Sequence, residues 1–195
     1  MQQAIIKRIG WLAVALALAF FVISEIGIQR TQTLETDFLS GNRSFSALGP
    51  PTRIDGRDAT TGNTKIVGEP VYFDVRLPVL TERASVTIVW DKTPTLPDPQ
   101  IGVVLGGFDE PDQRFALYPP EAVRSDVGTL DVGTLDVRRW TSNVQVDLRG
   151  VPRRDGGVRF LISIPGASST TPFFLGPVQI AASRPPFGEV LRRFK

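Results

Sequence analysis

The 195-residue sequence contains neither cysteine nor histidine. Without cysteine there is no disulfide, thiolate nucleophile or cysteine metal ligand. Without histidine there is no imidazole base, and Ser-His-Asp catalysis and Cys/His zinc sites are both excluded. Site chemistry must come from carboxylates, hydroxyls, Lys, Arg or the backbone. An excess of charge is also lacking. The formal net charge of +2 lies within residues 1–30, where Lys7, Arg8 and Arg30 outweigh Glu25; the rest of the chain holds 19 basic and 19 acidic residues. That balance lacks the electrostatic footprint of a nucleic-acid binder, so no nucleic-acid partner is expected. No Gly-rich phosphate loop precedes a helix, and no amphipathic helix of useful length separates the apolar runs, which excludes parallel βαβ units.

The longest apolar run is near the start. Ile9 to Ile23 carries no charged side chain, and the run extends to Ile28 with interruptions at Ser24 and Glu25. Twenty helical residues at roughly 1.5 Å each span about 30 Å, the thickness of a bilayer core. Lys7 and Arg8 precede the run and set the topology, because positive charge stays cytoplasmic. The sequence therefore predicts a basic cytoplasmic N-terminus (1–8) and a transmembrane signal-anchor helix (9–28). Ile9, Trp11, Leu12, Leu16, Phe20, Phe21 and Ile23 would sit in the lipid bilayer of the cytoplasmic (inner) membrane. The chain would cross once, with its C-terminal domain outside. A cleaved signal peptide is the competing reading. Its small-x-small pairs, such as Ala15-Leu16-Ala17, lie inside the apolar run and none follows it, which favours an uncleaved anchor. Glu25 falls near the outer boundary, as an interfacial residue or as the partner of a basic group in a membrane-protein complex.

Residues 29–49 are polar and mixed and read as a stalk or linker, with Gly49-Pro50-Pro51 ending any helix. From 50 to 183 the punctuation is that of an all-β domain. In "VYFDVRL" Val71, Phe73, Val75 and Leu77 share one face, and Tyr72, Asp74 and Arg76 the other. "ASVTIVW" aligns Val86, Ile88 and Trp90; "NVQVDL" aligns Val144, Val146 and Leu148; "VRFLISI" aligns Val158, Phe160, Ile162 and Ile164. "IGVVL", "RFALY" and "FFLGPVQIAA" complete the set, the last broken or bulged at Gly176-Pro177. Roughly seven to nine short strands, each with one apolar face, call for an antiparallel two-sheet β-sandwich, jelly-roll-like and mainly β. Residues 184–195 form a basic tail.

The pentapeptide Asp-Val-Gly-Thr-Leu occurs twice in succession from Asp126. Five residues are too few for a solenoid repeat. The odd spacing also turns Leu130 and Leu135 to opposite faces of one strand. A small duplication in a loop before a strand "TLDVRRW" explains it best, and it carries no function.

Candidate sites are few. Asp55, Asp58 and Asn63 in "RIDGRDATTGN" offer oxygen ligands for a structural calcium, although the spacing is not that of an EF-hand and these are ordinary turn residues. No other cofactor is expected. Asp109, Glu110 and Asp112 crowd one loop, but with many acids present the sequence singles out no glycosidase pair. Trp90 shares its face with core residues. Tyr118, at a strand end before Pro119-Pro120, and Trp140 are the candidate ligand-binding aromatics, placed to stack on a sugar ring. Asn42-Arg43-Ser44 matches a glycosylation acceptor.

The stretches "IVGEPVYFDVRLP" (66–78) and "VQVDLRGVPRRDGGVRFLISIPG" (144–166) resemble strand pairs of exported jelly-roll or galactose-binding-like modules. With the anchor, the whole resembles bacterial single-pass proteins of uncharacterised function. The resemblance is one of pattern over about 115 residues and carries over no site residue. It implies at most a sugar-binding tendency. The sequence as a whole reads as a non-catalytic, membrane-tethered module outside the membrane, with envelope glycan or polysaccharide as the first expected ligand. The alternatives are an accessory subunit of a membrane-protein complex and, third, a carboxylate-dependent glycan hydrolase.

Overall fold

The computed structural model describes residues 10–19, 31–38, 42–78, 80–92, 95–106, 114–119, 121–124 and 139–185. The strands are β1 (Thr31–Thr36), β2 (Ile54–Arg57), β3 (Thr64–Ile66), β4 (Val71–Arg76), β5 (Arg83–Lys92), β6 (Gln100–Val104), β7 (Phe115–Tyr118), β8 (Glu121–Arg124), β9 (Arg139–Asp147), β10 (Gly157–Ser163) and β11 (Phe173–Ser183). They form two antiparallel sheets, consistent with the expected sandwich. The larger has the order β2-β3-β11-β5-β9-β8, with β1 also on β11; the smaller is β4-β10-β6-β7.

Alternation decides which side chains meet between the sheets. Val71, Phe73 and Val75 of β4 face Val86, Ile88 and Trp90 of β5 and Val144 and Val146 of β9 within one buried cluster. Phe73 stacks on Phe160 of β10 at a centroid distance of 5.7 Å. β11 shows how a break preserves the pattern. Phe173 and Leu175 are buried at odd positions and Val178, Ile180 and Ala182 at even ones. The register shifts between Leu175 and Val178, at the predicted Gly176-Pro177 break. One extra residue there keeps both halves facing inward. The edge of β11 turned away from β5 is shared, with β3 on Phe173–Leu175 and β1 on Val178–Ser183.

β1 overturns the expected stalk. Residues 31–36 are a strand, Phe45 and Leu48 are buried, and Phe38 packs against the same core. The sandwich therefore begins at Thr31 rather than at residue 50. Its polar composition misled because an edge strand needs few apolar residues: only Leu34 and Thr36 of "TQTLET" turn substantially inward together with Gln32. Thr is also a good strand former. Segment 44–49 runs beside the free edge of β4, bridged at Phe45–Val75 and Gly49–Tyr72, and extends the smaller sheet irregularly.

Residues 10–19 form a helix whose side chains are all exposed. Among the described residues no helix is long and apolar enough to cross a membrane. Of the expected anchor residues, Trp11, Leu12 and Leu16 lie on this helix. Ile9, Phe20, Phe21 and Ile23 lie outside the described residues, as do Lys7, Arg8, Glu25, the pentapeptide repeat, the loop acids Asp109, Glu110 and Asp112, and the basic tail beyond residue 185.

Candidate functional site

The outer face of the smaller sheet is built from the positions that alternation turned away from the core. Tyr72, Asp74 and Arg76 project from β4, and Arg159 projects beside them from β10, where it pairs in register with Asp74. Arg159 donates to both carboxylate oxygens, Nε to Oδ1 at 2.7 Å and Nη2 to Oδ2 at 2.9 Å. This bidentate fork holds the guanidinium flat and fixes its direction.

Two short segments raise walls around this floor. Segment 42–46 is pinned by Ser46 N–H donating to the Asp74 carbonyl at 2.8 Å and Arg76 N–H donating to the Ser44 carbonyl at 2.8 Å. At the other end, Arg154 and Gly157 exchange backbone hydrogen bonds of 3.0 and 2.8 Å. The two residues between them, Asp155 and Gly156, have φ of 51° and 76°. Two successive positive φ values define a type I′ hairpin turn, for which Asp-Gly is a preferred pair. The turn places Arg154 across Gly157 from Arg76, whose register partner is Gly157.

The result is a trough made of two adjoining hollows of about 580 and 400 Å³, which share Ser46, Asp74 and Arg159. One end holds Arg43, Arg76, Arg154 and Asp155; the other holds Tyr72, Pro50 and Arg53. From Tyr72 to Arg76 the floor runs about 13 Å at roughly 3.3 Å per residue. The trough can accept an extended, polar, hydrogen-bonding ligand, with a tyrosine near one end and arginines at the other.

The two aromatics predicted as sugar platforms both face inward. Trp140 pairs in register with Trp90 and stacks on it at 5.7 Å, and Phe173 stacks on Trp90 at 5.6 Å. The Trp90 indole N–H donates to Ser142 Oγ at 2.8 Å, which satisfies its polar atom in the core. Trp140 is half-buried at the end of this stack. Its parity follows Ser142 and Val144 in β9. Tyr118 pairs with Ile101 and packs against the same core.

The three expected calcium ligands lie on the β2–β3 hairpin, where Asp58 N–H donates to the Asn63 carbonyl at 3.0 Å, and each side chain has a protein partner. Lys65 Nζ meets Asp55 Oδ2 at 2.7 Å. Asp58 Oδ1 accepts from Thr60 N–H, Thr61 N–H and the Thr61 hydroxyl, a turn cap that lowers its pKa, the Thr61 amide being the main cause. Asn63 Nδ2 donates to the buried Asp91 Oδ2 at 2.7 Å. Among the described residues no cluster of three Asp or Glu side chains could hold a metal.

No family model matches the chain, and no curated protein matches it. One solved structure to which it is similar is that of TmCBM61 in complex with β-1,4-galactotriose. The TM-score is 0.28 and the identity 9%, over 81% of this chain and 92% of that one. No residue is carried over from it.

The environment of Asp91 raises its pKa. Burial is the main cause, opposed by Arg139 and by the Asn63 hydrogen bond. It lies beneath the 58–63 turn on the larger sheet, away from the trough. Sequence reasoning missed the trough arginines, although two signals pointed there. The polar face of "VYFDVRL" is its floor, and "RDGG" is the turn that holds Arg154.

Proposed function

We propose that this chain is a non-catalytic glycan-binding module of the jelly-roll or galactose-binding-like kind, tethered outside the cytoplasmic membrane by its N-terminal segment. The observation that carries the binding reading is the trough over β4 and β10. It is an elongated, solvent-open groove, and Tyr72, Asp74 and Arg159 are held on its floor by strand pairing. Planar side chains with fixed hydrogen-bonding directions suit the hydroxyls and ring faces of a sugar chain, and rigid strands keep them in place. Tyr72, on the floor of the trough, takes the stacking role in this reading, in place of Tyr118 and Trp140, which pack against the core.

Binding without catalysis is favoured by the state of Asp74 on the trough floor. Asp74 has both oxygens on Arg159, so it is poorly placed as an acid or a nucleophile. Asp91, with its raised pKa, is buried elsewhere. The tether is favoured by the uncharged run from Ile9 to Ile23 after Lys7 and Arg8. It is also favoured by the helix over 10–19, which exposes Trp11, Leu12, Val14, Leu16 and Leu18. A helix apolar on every side calls for an apolar surrounding.

The test is a polysaccharide and glycan-array screen of the full chain in detergent micelles, with calorimetry on each hit. Tyr72→Ala is expected to weaken binding at least tenfold, and Tyr118→Phe to leave it unchanged. A folded chain that binds no polysaccharide overturns the reading.

A further inference from the structure

We infer that the trough selects an anionic polysaccharide, one carrying carboxylate, sulfate or phosphate groups, and that Arg43 and Arg76 read those groups. The inference rests on the glycan-binding reading and names the ligand class of the same site.

Charge is the first argument. Beyond residue 30 the chain carries equal numbers of basic and acidic residues. The larger hollow nevertheless gathers Arg43, Arg76, Arg154 and Arg159 against Asp74 and Asp155. Elsewhere on the surface Lys65 pairs with Asp55 and Arg149 with Asp147, while Arg57, Arg83 and Arg114 are exposed with no such partner among the described residues, so the trough is set apart by the gathering of arginines in one groove. Arg43 and Arg76 are both exposed, and among the described residues neither side chain makes a hydrogen bond or ion pair. Four arginines against two carboxylates leave a local excess of positive charge, which an anion lying in the groove would offset.

Construction is the second argument. The arginines come from three separate segments, and backbone pairing alone brings them together. Ser44 lies on one side of Arg76 through the 2.8 Å hydrogen bond, and Gly157 lies on the other in strand register. Strands sit about 4.8 Å apart, so Arg43 and Arg154 leave the backbone about three strand spacings from each other, with Arg76 and Gly157 between. Asp74 holds Arg159 in line with them. All four are arginines, whose flat fork matches carboxylate, sulfate and phosphate oxygens two at a time; lysine has no such geometry. A neighbouring arginine shows the contrast. Arg153 is half-buried and donates to the carbonyls of Pro78 at 2.9 Å and Thr81 at 2.8 Å, a structural role. Arg154, one residue on, is turned out into the trough. The spread of cations along an open groove fits a linear chain with repeated anionic groups better than a single small anion.

The experiment measures binding of the full chain in neutral detergent at 150 mM NaCl to two sets of polymers. The anionic set is polygalacturonate, alginate and dextran sulfate. The neutral set is carboxyl-reduced polygalacturonate, dextran and the neutral polymers of the function screen. The parent is expected to bind at least one anionic polymer at least tenfold more tightly than its neutral counterpart, with affinity falling as salt rises. The double variant Arg43→Gln/Arg76→Gln should lose at least tenfold of that affinity while its melting temperature is unchanged, since neither side chain supports the fold. Equal binding of neutral and anionic polymers, or an unaffected double variant, overturns the anionic inference and leaves the glycan-binding reading standing. Binding to no polysaccharide of either set overturns both. Binding only to vesicles containing phosphatidylglycerol, lost in the double variant, overturns the polysaccharide as the ligand and assigns the arginines to the membrane surface.

Discussion

The outer faces of the two sheets are made by the same alternation and carry opposite chemistry. On the larger sheet, β5 and β9 turn Ser85, Thr87 and Asn143 outward, and these satisfy one another. Asn143 Nδ2 donates to Thr87 Oγ1 at 2.8 Å, and Ser85 Oγ donates to Asn143 Oδ1 at 3.1 Å. Of the charged groups there, Asp91 is covered and held by Asn63 and Arg139, and Arg83 lies opposite Asp147 in register. On the smaller sheet the outward residues of β4 and β10 are Tyr72, Asp74, Arg76 and Arg159, walled in by two segments that add more arginine. A sheet face needs only polar side chains to stay in water. The groove on the smaller sheet goes beyond that need, with four arginines against two carboxylates.

The largest expected effect removes structure from both sheets at once. A chain beginning at Gly49 loses β1 from β11, and loses Phe45 and Leu48 together with the trough wall they anchor. Each buried apolar side chain of that size stabilises by about 1.5–3 kcal/mol. The shortened chain should melt at least about 10 °C below one beginning ahead of Thr31, if it folds at all. Equal melting temperatures by circular dichroism would mean that β1 and segment 44–48 are dispensable, and the trough would lose its wall without cost.

Next in size is a pair of glycines that sets one sheet against the other. A Cβ on Gly102, in β6 of the smaller sheet, would collide with the backbone carbonyl of Ala116 in β7. A Cβ on Gly176 in β11 would lie 3.1 Å from the Val89 carbonyl and 3.2 Å from Asn63 Oδ1. Backbone cannot yield as a side chain can, so Gly102→Ala should cost about 1–3 kcal/mol and Gly176→Ala less. Urea denaturation of both variants checks the order, and the reverse order would mean that β7 is free to shift.

These glycines also mark what was legible in the sequence. Strands with strict alternation, β4 and β10 above all, could be read because a period of two with one buried face is a local signal. The bulge in β11 was legible for the same reason: Gly-Pro inside an apolar run lacks a side chain, then an N–H. β1 was not, because an edge strand buries little and its polar composition resembles a linker. The inward turn of Trp140 was hidden because its face depends on where the strand begins, which the repeated Asp-Val-Gly-Thr-Leu obscures. The floor of the trough was visible as a polar face. Its gathering of arginines was not, since Arg43, Arg76 and Arg154 meet only through pairing between segments distant in sequence.

A subtler effect follows pH. Burial raises the pKa of Asp91 above the ordinary 3.8, so the folded chain holds this proton more tightly than the unfolded one. As pH rises from about 3.8 through the raised value, the native state binds more protons than the unfolded state and loses stability. Asp91→Asn lacks that loss. The variant should match or exceed the parent's stability at pH 7, with the difference shrinking as pH falls below 3.8. A variant less stable at pH 7 would show that attraction to Arg139, 3.8 Å away, outweighs the cost of burial.

The smallest effect is the sharpest check on the comparison. Asn143→Ala removes the hub of the neutral network on the larger sheet, breaking two exposed hydrogen bonds. Both partners remain in contact with water, so neither is left buried and unsatisfied. The stability change should stay within about 0.5 kcal/mol. Polysaccharide affinity should not change at all, because Asn143 lies on the face opposite the trough. Calorimetry on this variant beside Tyr72→Ala therefore assigns the ligand to a face. If Asn143→Ala abolished binding and Tyr72→Ala did not, the self-satisfied surface would be the binding surface, and the arginines of the other sheet would need a different partner.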